Sequence, residues 1–386
     1  MVDKHIKLFF ALLRSAVGGI ALSDKEISIY RSDRLNEFIS LARKHDVVHL
    51  LLLGLKKNHL LDNWNNDLES EMLSTVYRYE KMNYEFGRIC NELEQAGIPF
   101  MPLKGAVIRN YYPEPWMRTS CDIDVLVQEK ELDRAVSRFE NCLGYTRLSQ
   151  NGHDVSLFSQ NKTHIELHYD LMGNSKIKNA DRVLQNIWEK ALKHHDCNNR
   201  YDMPDDLFYF YHIAHMAKHF MNGGCGIRPF LDIWVLNHRV DCNKENRKNL
   251  LVQGDLFAFS KQVKLLSEVW FSTAKHTKAT KQMEKYILHG GAYGAEDNRI
   301  KVQQQQKGGR LNYALSKIFI PYSTIKFHYP ILQKYRFLTP VMEVRRWGKL
   351  IFCGHLKRTT KELKFNNNVS KKTAFETQEL LKNIGL

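Results

Sequence analysis

The chain has 386 residues, of which 43% are hydrophobic, and this predicts a globular protein of two or three structural units. Its seven cysteines are odd in number and lack C-x-x-C spacing, which argues against a disulfide framework and a thiolate zinc site and favours the reducing cytoplasm. No window holds the roughly 20 uncharged apolar residues of a membrane span. We interpret residues 7–22 as an amphipathic helix rather than a signal peptide, because Arg14 interrupts the apolar run.

Positive charge is concentrated near the carboxyl terminus. The net charge is +15, and residues 301–386 contain 17 Lys and Arg against 4 Asp and Glu. Such a block suits contact with a polyanion such as nucleic acid, an anionic membrane surface, an acidic protein or a phosphorylated acceptor, and it equally suits a solvated face that aids solubility. We predict that this basic C-terminal region serves a partner rather than the fold of the core. Peripheral association with a membrane is one alternative for its location.

The first unit, residues 1–97, is predicted to be helical. Apolar residues recur at helical spacing over residues 35–42 and again over residues 67–96. Gly97 follows the longer run and is expected to end it in the left-handed conformation. We interpret these helices as a scaffold.

A change from helical to alternating spacing marks the second unit, residues 98–172. The pattern predicts strands at 98–103 and 123–127, helices at 106–111 and 130–143, and a hairpin of 155–158 with 164–168. Residues 173–300 return to helix, with one helix beginning after Pro204 and ending before a glycine-rich turn. The glutamine tract 303–306 with Gly308 and Gly309 is expected to form a hinge or linker into residues 301–386.

Two aspartates in the strand at 123–127 form the most informative motif. Residues i and i+2 of a strand project from one face, so Asp122 and Asp124 point together while Ile123 and Val125 are buried on the other face. A divalent cation would offset the repulsion between the two carboxylates, and Mg²⁺ commonly combines one or two carboxylates with substrate phosphates. By itself, D-x-D is equally compatible with two aspartates in a solvated turn.

Two further features favour the metal interpretation. The sequence His164 to His168 alternates in the same way and places Glu166 between two histidines, which supplies a third carboxylate if the hairpin packs beside the aspartate strand. Lys104 and Gly105 stand at a predicted strand-to-helix junction, where glycine permits close approach of the backbone to an anion. A simple β-to-α turn is the alternative for this second motif.

Taken together, K-G at 104–105, R-T-S-C-D-I-D-V-L-V at 118–127 and H-I-E-L-H at 164–168 resemble the nucleotidyltransferase superfamily typified by DNA polymerase β. The closer similarity is to uncharacterised bacterial nucleotidyltransferases, often encoded near genes for polysaccharide or modified-peptide biosynthesis. It is clear over residues 98–236 and looser over the stretch 330–346. The resemblance implies an α+β fold with a small mixed-sheet, palm-like core flanked by N- and C-terminal helical regions.

The resemblance also implies roles for individual residues. Asp122, Asp124 and Glu166 would be the catalytic carboxylates and the ligands of one or two Mg²⁺ ions. The residues implied in binding substrate phosphates are Lys104, Gly105, Arg118 and Ser120. The wider superfamily has a small hydroxyl residue after its turn glycine, where this chain has Ala106, so the chain follows the subfamily rather than the superfamily at this position.

Histidines supply further candidates for the nucleotide cleft. His212, His215 and His219 fall at i, i+3 and i+7 on one stripe of a predicted helix, where an ordinary core or surface stripe is favoured over a zinc site because H-E-x-x-H is absent. Asp232 is a candidate to orient one of these histidines. The cleft-lining candidates are His164, His168, His212, His219 and Asp232.

Two functional hypotheses of different class follow. The first is a metal-dependent enzyme that moves a nucleoside monophosphate from a nucleoside triphosphate to a hydroxyl of a sugar, a lipid-linked saccharide, a protein or RNA, with release of pyrophosphate. The second is a catalytically weak nucleotide-binding or antitoxin-like module that docks through residues 301–386. The presence of all three carboxylates together with Lys104 and Arg118 favours the enzyme.

Overall fold

The computed structural model describes residues 4–61, 66–173, 177–239, 243–352 and 356–386. The helices are α1 Lys4–Gly18, α2 Asp24–Ile27, α3 Leu35–Lys44, α4 Val48–Lys57, α5 Asn66–Gln95, α6 Gly105–Ile108, α7 Leu132–Leu143, α8 Ala180–Leu184, α9 Ile187–Lys190, α10 Asp205–Phe220, α11 Arg228–Arg239, α12 Lys244–Gln253, α13 Phe257–Phe271, α14 Lys278–His289, α15 Glu296–Gln306, α16 Arg310–Ile318, α17 Tyr322–His328, α18 Ile331–Lys334, α19 Thr339–Phe352, α20 Leu356–Asn368 and α21 Lys371–Asn383. The strands are β1 Phe100–Pro102, β2 Asp122–Val127, β3 Thr146–Gln150, β4 Asp154–Phe158, β5 His164–His168, β6 Leu192–Lys193 and β7 Tyr201–Asp202.

A five-stranded mixed sheet forms the centre of the fold. Its strand order is β1-β2-β5-β4-β3, so β5 lies between β2 and β4. β2 and β5 run parallel, while the other neighbouring pairs are antiparallel. The chain between β2 and β5 contains α7 and the strands β3 and β4. This connection returns the chain to the end of the sheet where β2 begins, so that β5 can run parallel to β2.

The two faces of this sheet are buried by different layers. Ile123 and Val125 of β2 and Leu167 of β5 pack against Ile89 of α5 and Phe139 of α7. On the opposite face, Leu126 and Met101 join the main core, a large cluster of buried side chains from α1, α4, α10, α11, α13 and α14. The predicted α+β class, with a mixed sheet flanked by helices, is confirmed.

Several local predictions match the structure. Gly97 and Gly144 both have positive φ, at 64° and 70°, as the left-handed ends of α5 and α7 require. The predicted hairpin is present as β4 and β5. The predicted helix 106–111 divides into α6 and a 3₁₀ turn, Arg109–Tyr111, and the edge strand β3 was not predicted.

The five cysteines that lie in described parts of the chain are all free. Cys242 and Cys353 lie outside the described residues. Among the described residues, no helix is both long enough and apolar enough to cross a membrane. The helix expected at 7–22 is α1, and its Phe9, Leu12 and Leu13 are buried in the main core.

The structure corrects two expectations about the last part of the chain. The glutamine tract is the final turn of α15 rather than a linker, and the Nε2 atom of buried Gln304 donates to Asn366 Oδ1 at 2.8 Å. The predicted boundary between residues 300 and 301 therefore falls inside a helix. The last helix is also part of the fold, because Leu381 and Ile384 lie in the main core. That residues 301–386 contact a polyanion or membrane surface stays a prediction.

Candidate active site

The parallel pairing of β2 with β5 brings the three carboxylates together. In this register Asp122 lies beside His164, and Asp124 lies beside Glu166. Since alternate residues share a face, all four side chains project from the same side of the sheet. Ligand atoms of Asp124, Glu166 and His168 lie within 4.8 Å of one another, as do those of Asp122, His164 and Glu166. Glu166 belongs to both groups and links them.

Lys104 is the cation of this cluster. Its Nζ lies 2.6 Å from Asp124 Oδ1 and 3.6 Å from Glu166 Oε2. His168 Nε2 lies 2.8 Å from the same Asp124 oxygen and 3.4 Å from Glu166 Oε2. Lys104 has φ of 44°, a strained conformation for a residue with a side chain, at the junction of β1 and α6. The ammonium therefore contacts the carboxylates from a rigid turn.

The carboxylates differ in their affinity for protons. Burial, together with the neighbouring Asp124, raises the pKa of Asp122 to about 7. Burial also acts to raise the pKa of Asp124, but Lys104 and the hydrogen bond with His168 outweigh it and hold that pKa well below its usual value. The pKa of Glu166 is lowered because the hydrogen bond with His168 and the charge of Lys104 outweigh burial and the charge of Asp124. Asp124 and Glu166 are therefore both negatively charged at neutral pH, beside the single positive charge of Lys104.

The Ser120 side chain packs closely against the backbone of Gly105. A Cβ atom built on Gly105 would lie 2.1 Å from Ser120 Oγ, which is far below van der Waals contact. Ser120 Oγ is itself buried and has no hydrogen-bond partner in the structure. Both residues line the cleft, and their binding of phosphate stays a prediction.

Arg118 has a structural partner that the sequence did not indicate. Its Nε and Nη2 atoms each donate to a different oxygen of Asp232, both at 2.8 Å, and Asp232 is 0% exposed. The hydroxyl of Tyr112 donates to the same carboxylate at 2.7 Å. His212 Nε2 lies 3.7 Å from Asp232 Oδ2, so this aspartate is next to a histidine but bonds mainly to Arg118 and Tyr112.

The carboxylates open into a cleft of about 430 Å³ between the sheet and α10. Its lining includes Lys104, Gly105, Arg118, Ser120, Asp122, Asp124, Glu166, Tyr211, His212, His215, Lys218, His219 and Arg228. The three histidines predicted on one stripe thus all face the cleft. A more open groove of about 1070 Å³, beyond the carboxyl ends of β2 and β5, contains none of the three carboxylates.

Two of the histidines predicted to line the cleft, His164 and His168, lie outside its lining. His168 is buried and bonds to Asp124. His164 Nε2 lies 3.2 Å from Ser156 Oγ, and its ring stacks on Phe158. Both contribute to the ligand groups but neither lines the cleft.

Some residues that line the cleft have no function predicted from the sequence. Tyr211, Lys218 and Arg228 are of this kind. From the sequence alone, Tyr211 resembles a buried core aromatic, and Lys218 and Arg228 resemble the cations that are common near the ends of helices. Only helical spacing from His215 could have placed the first two on the cleft side of α10.

The site residues fit a divalent cation. Carboxylate oxygens are the ligands that Mg²⁺ prefers, and the carboxylates of Asp122, Asp124 and Glu166 all line one cleft, with the Lys104 ammonium beside Asp124 and Glu166. Asp124 Oδ1 is occupied by Lys104 and His168, and neither contact involves Oδ2. Burial and, after it, the neighbouring Asp124 raise the pKa of Asp122, and a cation beside this carboxylate would favour its charged form.

Comparison with known proteins gives one match. A protein-family model described as uncharacterised nucleotidyltransferase matches residues 32–272, which is more than half of the chain. The matched region contains the whole sheet, α10 and α11, and every residue discussed at this site. No curated protein and no solved structure matches the chain significantly.

Proposed function

Because the chain belongs to the family of uncharacterised nucleotidyltransferases, we propose that it transfers a nucleoside monophosphate from a nucleoside triphosphate to a hydroxyl acceptor, with pyrophosphate leaving. The observation that supports this most directly is the convergence of Asp122, Asp124 and Glu166 on one cleft. In-line displacement at phosphorus needs positioned reactants and stabilised charge, and clustered acidic residues provide both when they hold metal ions.

We further propose that these three carboxylates hold one or two Mg²⁺ ions. A bound ion would supply charge stabilisation at the reacting phosphate and at the attacking oxygen. The protein contributes the positions of the carboxylates that would hold the ion. Lys104 and His168 fix Asp124 from two sides, and Glu166 is the more accessible carboxylate, with 25% of its side chain exposed against 3% for Asp124. Glu166 is therefore the better placed of the two to orient an incoming hydroxyl.

The acceptor is proposed only by chemical class. A sugar, a lipid-linked saccharide, a protein side chain and RNA all present hydroxyls of the required kind, and a cytoplasmic location would give access to nucleoside triphosphates. Glu166 lines the cleft and 25% of its side chain is exposed, so a hydroxyl of this kind could approach it from solvent.

Pyrophosphate release tests the proposed activity. Wild-type protein is incubated with each nucleoside triphosphate and Mg²⁺, with and without cell extract as a source of acceptor. We expect release with at least one nucleotide, and a loss of at least about a thousandfold in rate for the double variant Asp122→Asn, Asp124→Asn, because removing charged ligands costs several kcal/mol of transition-state stabilisation.

The exposed Asp133 of α7 gives a matched control, since Asp133→Asn removes a carboxylate outside the cleft and should leave release unchanged. Nucleotide binding by the wild type without release from any nucleotide, in any extract, would support the interaction-module hypothesis instead. Equal release by the wild type and the double variant would contradict the assignment of the carboxylates.

A further inference from the structure

The wall of the cleft opposite the carboxylates is one face of α10. Tyr211, His215, Lys218 and His219 all line the cleft, at spacings of four, three and one residues that fall on neighbouring turns. Lys218 and Tyr211 both line the cleft, and the Lys218 ammonium lies 3.5 Å from the backbone carbonyl of Met172. The two side chains therefore border the same space.

The cations that the sequence suggests for phosphate binding are already engaged. Lys104 Nζ is 2.6 Å from Asp124, and Arg118 donates through two nitrogen atoms to Asp232. Lys218 differs from both. Its ammonium contacts the backbone carbonyl of Met172 at 3.5 Å, and it forms an ion pair with no carboxylate among the described residues. Burial and the charge of Lys104 lower the pKa of Lys218, so an anion beside it would stabilise the charged form.

Tyr211 supplies a second, independent observation. Its side chain is 1% exposed, and its hydroxyl is buried without a hydrogen-bond partner in the structure. An unpaired buried hydroxyl costs free energy, so a native protein that keeps one often uses it for a ligand. The hydroxyl lies near enough to interact electrostatically with Lys104, Asp124 and Glu166. A donor and a cation thus face the carboxylates from the same helix.

On the basis of the proposed function, we propose that Lys218 and Tyr211 form a subsite for the β- and γ-phosphates of the nucleotide. The Lys218 ammonium pairs with non-bridging phosphate oxygens, and the Tyr211 hydroxyl donates a hydrogen bond to one of them. In the transfer, the acceptor oxygen bonds to the α-phosphorus while the bond from that phosphorus to the bridging oxygen breaks. The electron pair leaves on pyrophosphate, the acceptor proton passes to a cleft carboxylate or water, and Lys218 stabilises the charge that develops on the leaving group.

Binding of inorganic tripolyphosphate to the full-length protein tests this subsite without requiring any chemistry. In calorimetry with Mg²⁺ present, the wild type is expected to bind saturably and Lys218→Ala to bind at least tenfold more weakly. Lys218→Arg should recover most of the affinity because it restores the charge. Lys130→Ala, which removes an exposed lysine outside the cleft, is the matched control and should bind as the wild type does.

Tyr211→Phe separates a ligand-binding role from a structural one. The substitution keeps the buried ring and removes only an unpaired hydroxyl, so the melting temperature should be unchanged or higher while tripolyphosphate binds several-fold more weakly. A lower melting temperature with unchanged affinity would show that the hydroxyl serves the fold, and would overturn its place in the subsite.

The failure of this subsite is distinguishable from failure of the proposed function. Absence of tripolyphosphate binding by the wild type, or equal affinity of the wild type and Lys218→Ala, overturns the subsite even if pyrophosphate is released normally from a nucleotide. Weaker binding by Lys218→Ala supports the subsite even if no nucleotide yields pyrophosphate, in which case the proposed transfer fails alone.

Discussion

At the scale of single residues, Gly105 shows how a missing side chain sets the geometry of the site. A Cβ at this position would lie 2.1 Å from Ser120 Oγ and 3.1 Å from Ser120 Cβ, so Gly105→Ala must move the Ser120 side chain or the turn that carries position 105. We expect a loss of about 1–3 kcal/mol in the free energy of unfolding, as for other overpacked sites, and a fall in activity. Chemical denaturation and the pyrophosphate assay measure the two effects.

Gly87 provides the control for this substitution. It lies within α5, and a Cβ there would meet nothing within 4 Å. Gly87→Ala should therefore raise stability by about 0.5–1 kcal/mol, because alanine loses less backbone entropy in a helix. Equal responses at the two glycines would contradict the close-packing account.

The ion pair of Arg118 with Asp232 gives a second prediction. Asp232→Asn leaves the guanidinium without its buried counter-charge, and breaking one side of such a pair costs about 3–5 kcal/mol. Urea denaturation should show this loss, and Arg118→Met combined with Asp232→Leu should recover part of it because no charge is then left buried. If Asp232→Asn were as stable as the wild type, the ion pair would not stabilise the fold, and Arg118 would be available to bind phosphate.

The candidate catalytic carboxylates could be predicted from the sequence, whereas the ion-pair partner of Arg118 could not. Asp122, Asp124 and Glu166 were recognisable because alternation along a strand is a local pattern that fixes the face of each side chain. The partner of Arg118 was not, since Asp232 lies 114 positions further along the chain and no local pattern connects them. Arg118 was accordingly assigned to phosphate on the strength of the resemblance alone.

At the scale of secondary structure, strands with a buried face were predictable and the exposed edge was not. β2, β4 and β5 each alternate apolar residues that point into a core, whereas β3 offers only Leu148, which is 70% exposed. Without a buried face, β3 has no period-2 signal. The parallel pairing of β2 with β5 is a non-local feature, and the prediction of a shared site depended on it.

The junction of α3 and α4 predicts a pH dependence of stability. Burial, with smaller contributions from nearby charges, lowers the pKa of His45 and of His49 to about 4 from the ordinary 6.5. The unfolded chain then binds protons that the folded chain does not, so stability falls as pH decreases from 6.5 toward 4. Each histidine contributes up to about 3 kcal/mol to this loss.

Comparison with His45→Leu isolates one contribution, because neither ring nitrogen of His45 has a hydrogen-bond partner among the residues that the structure describes. Urea denaturation at pH 7 and pH 5 should show a smaller acid loss for this variant than for the wild type. An identical loss in both proteins would mean that carboxylates, not this histidine, govern the acid side of the stability profile.

At the scale of the whole molecule, residues 301–386 combine a basic composition with side chains that belong to the main core. Their positive charge suggested a region separate from the core, but charge composition does not show that Ile384 is 0% exposed in the main core. Ile384→Ala should therefore cost about 2–5 kcal/mol by creating a cavity. Phe375→Ala on the neighbouring α21, where the ring is 58% exposed, should change stability little. Equal thermal melting of the two variants would place the last residues outside the core.

The carboxylates of β2 and β5 are proposed to direct transfer of a nucleoside monophosphate. The most direct measurement follows the fate of isotopic label in cell extract supplemented with wild-type protein and Mg²⁺. Label at the α-phosphate should pass to an acceptor, label at the γ-phosphate should leave in pyrophosphate, and Asp122→Asn with Asp124→Asn should transfer neither while melting near the wild-type temperature. Transfer of the γ-label to the acceptor, or equal transfer of the α-label by the wild type and the double variant, would contradict the account.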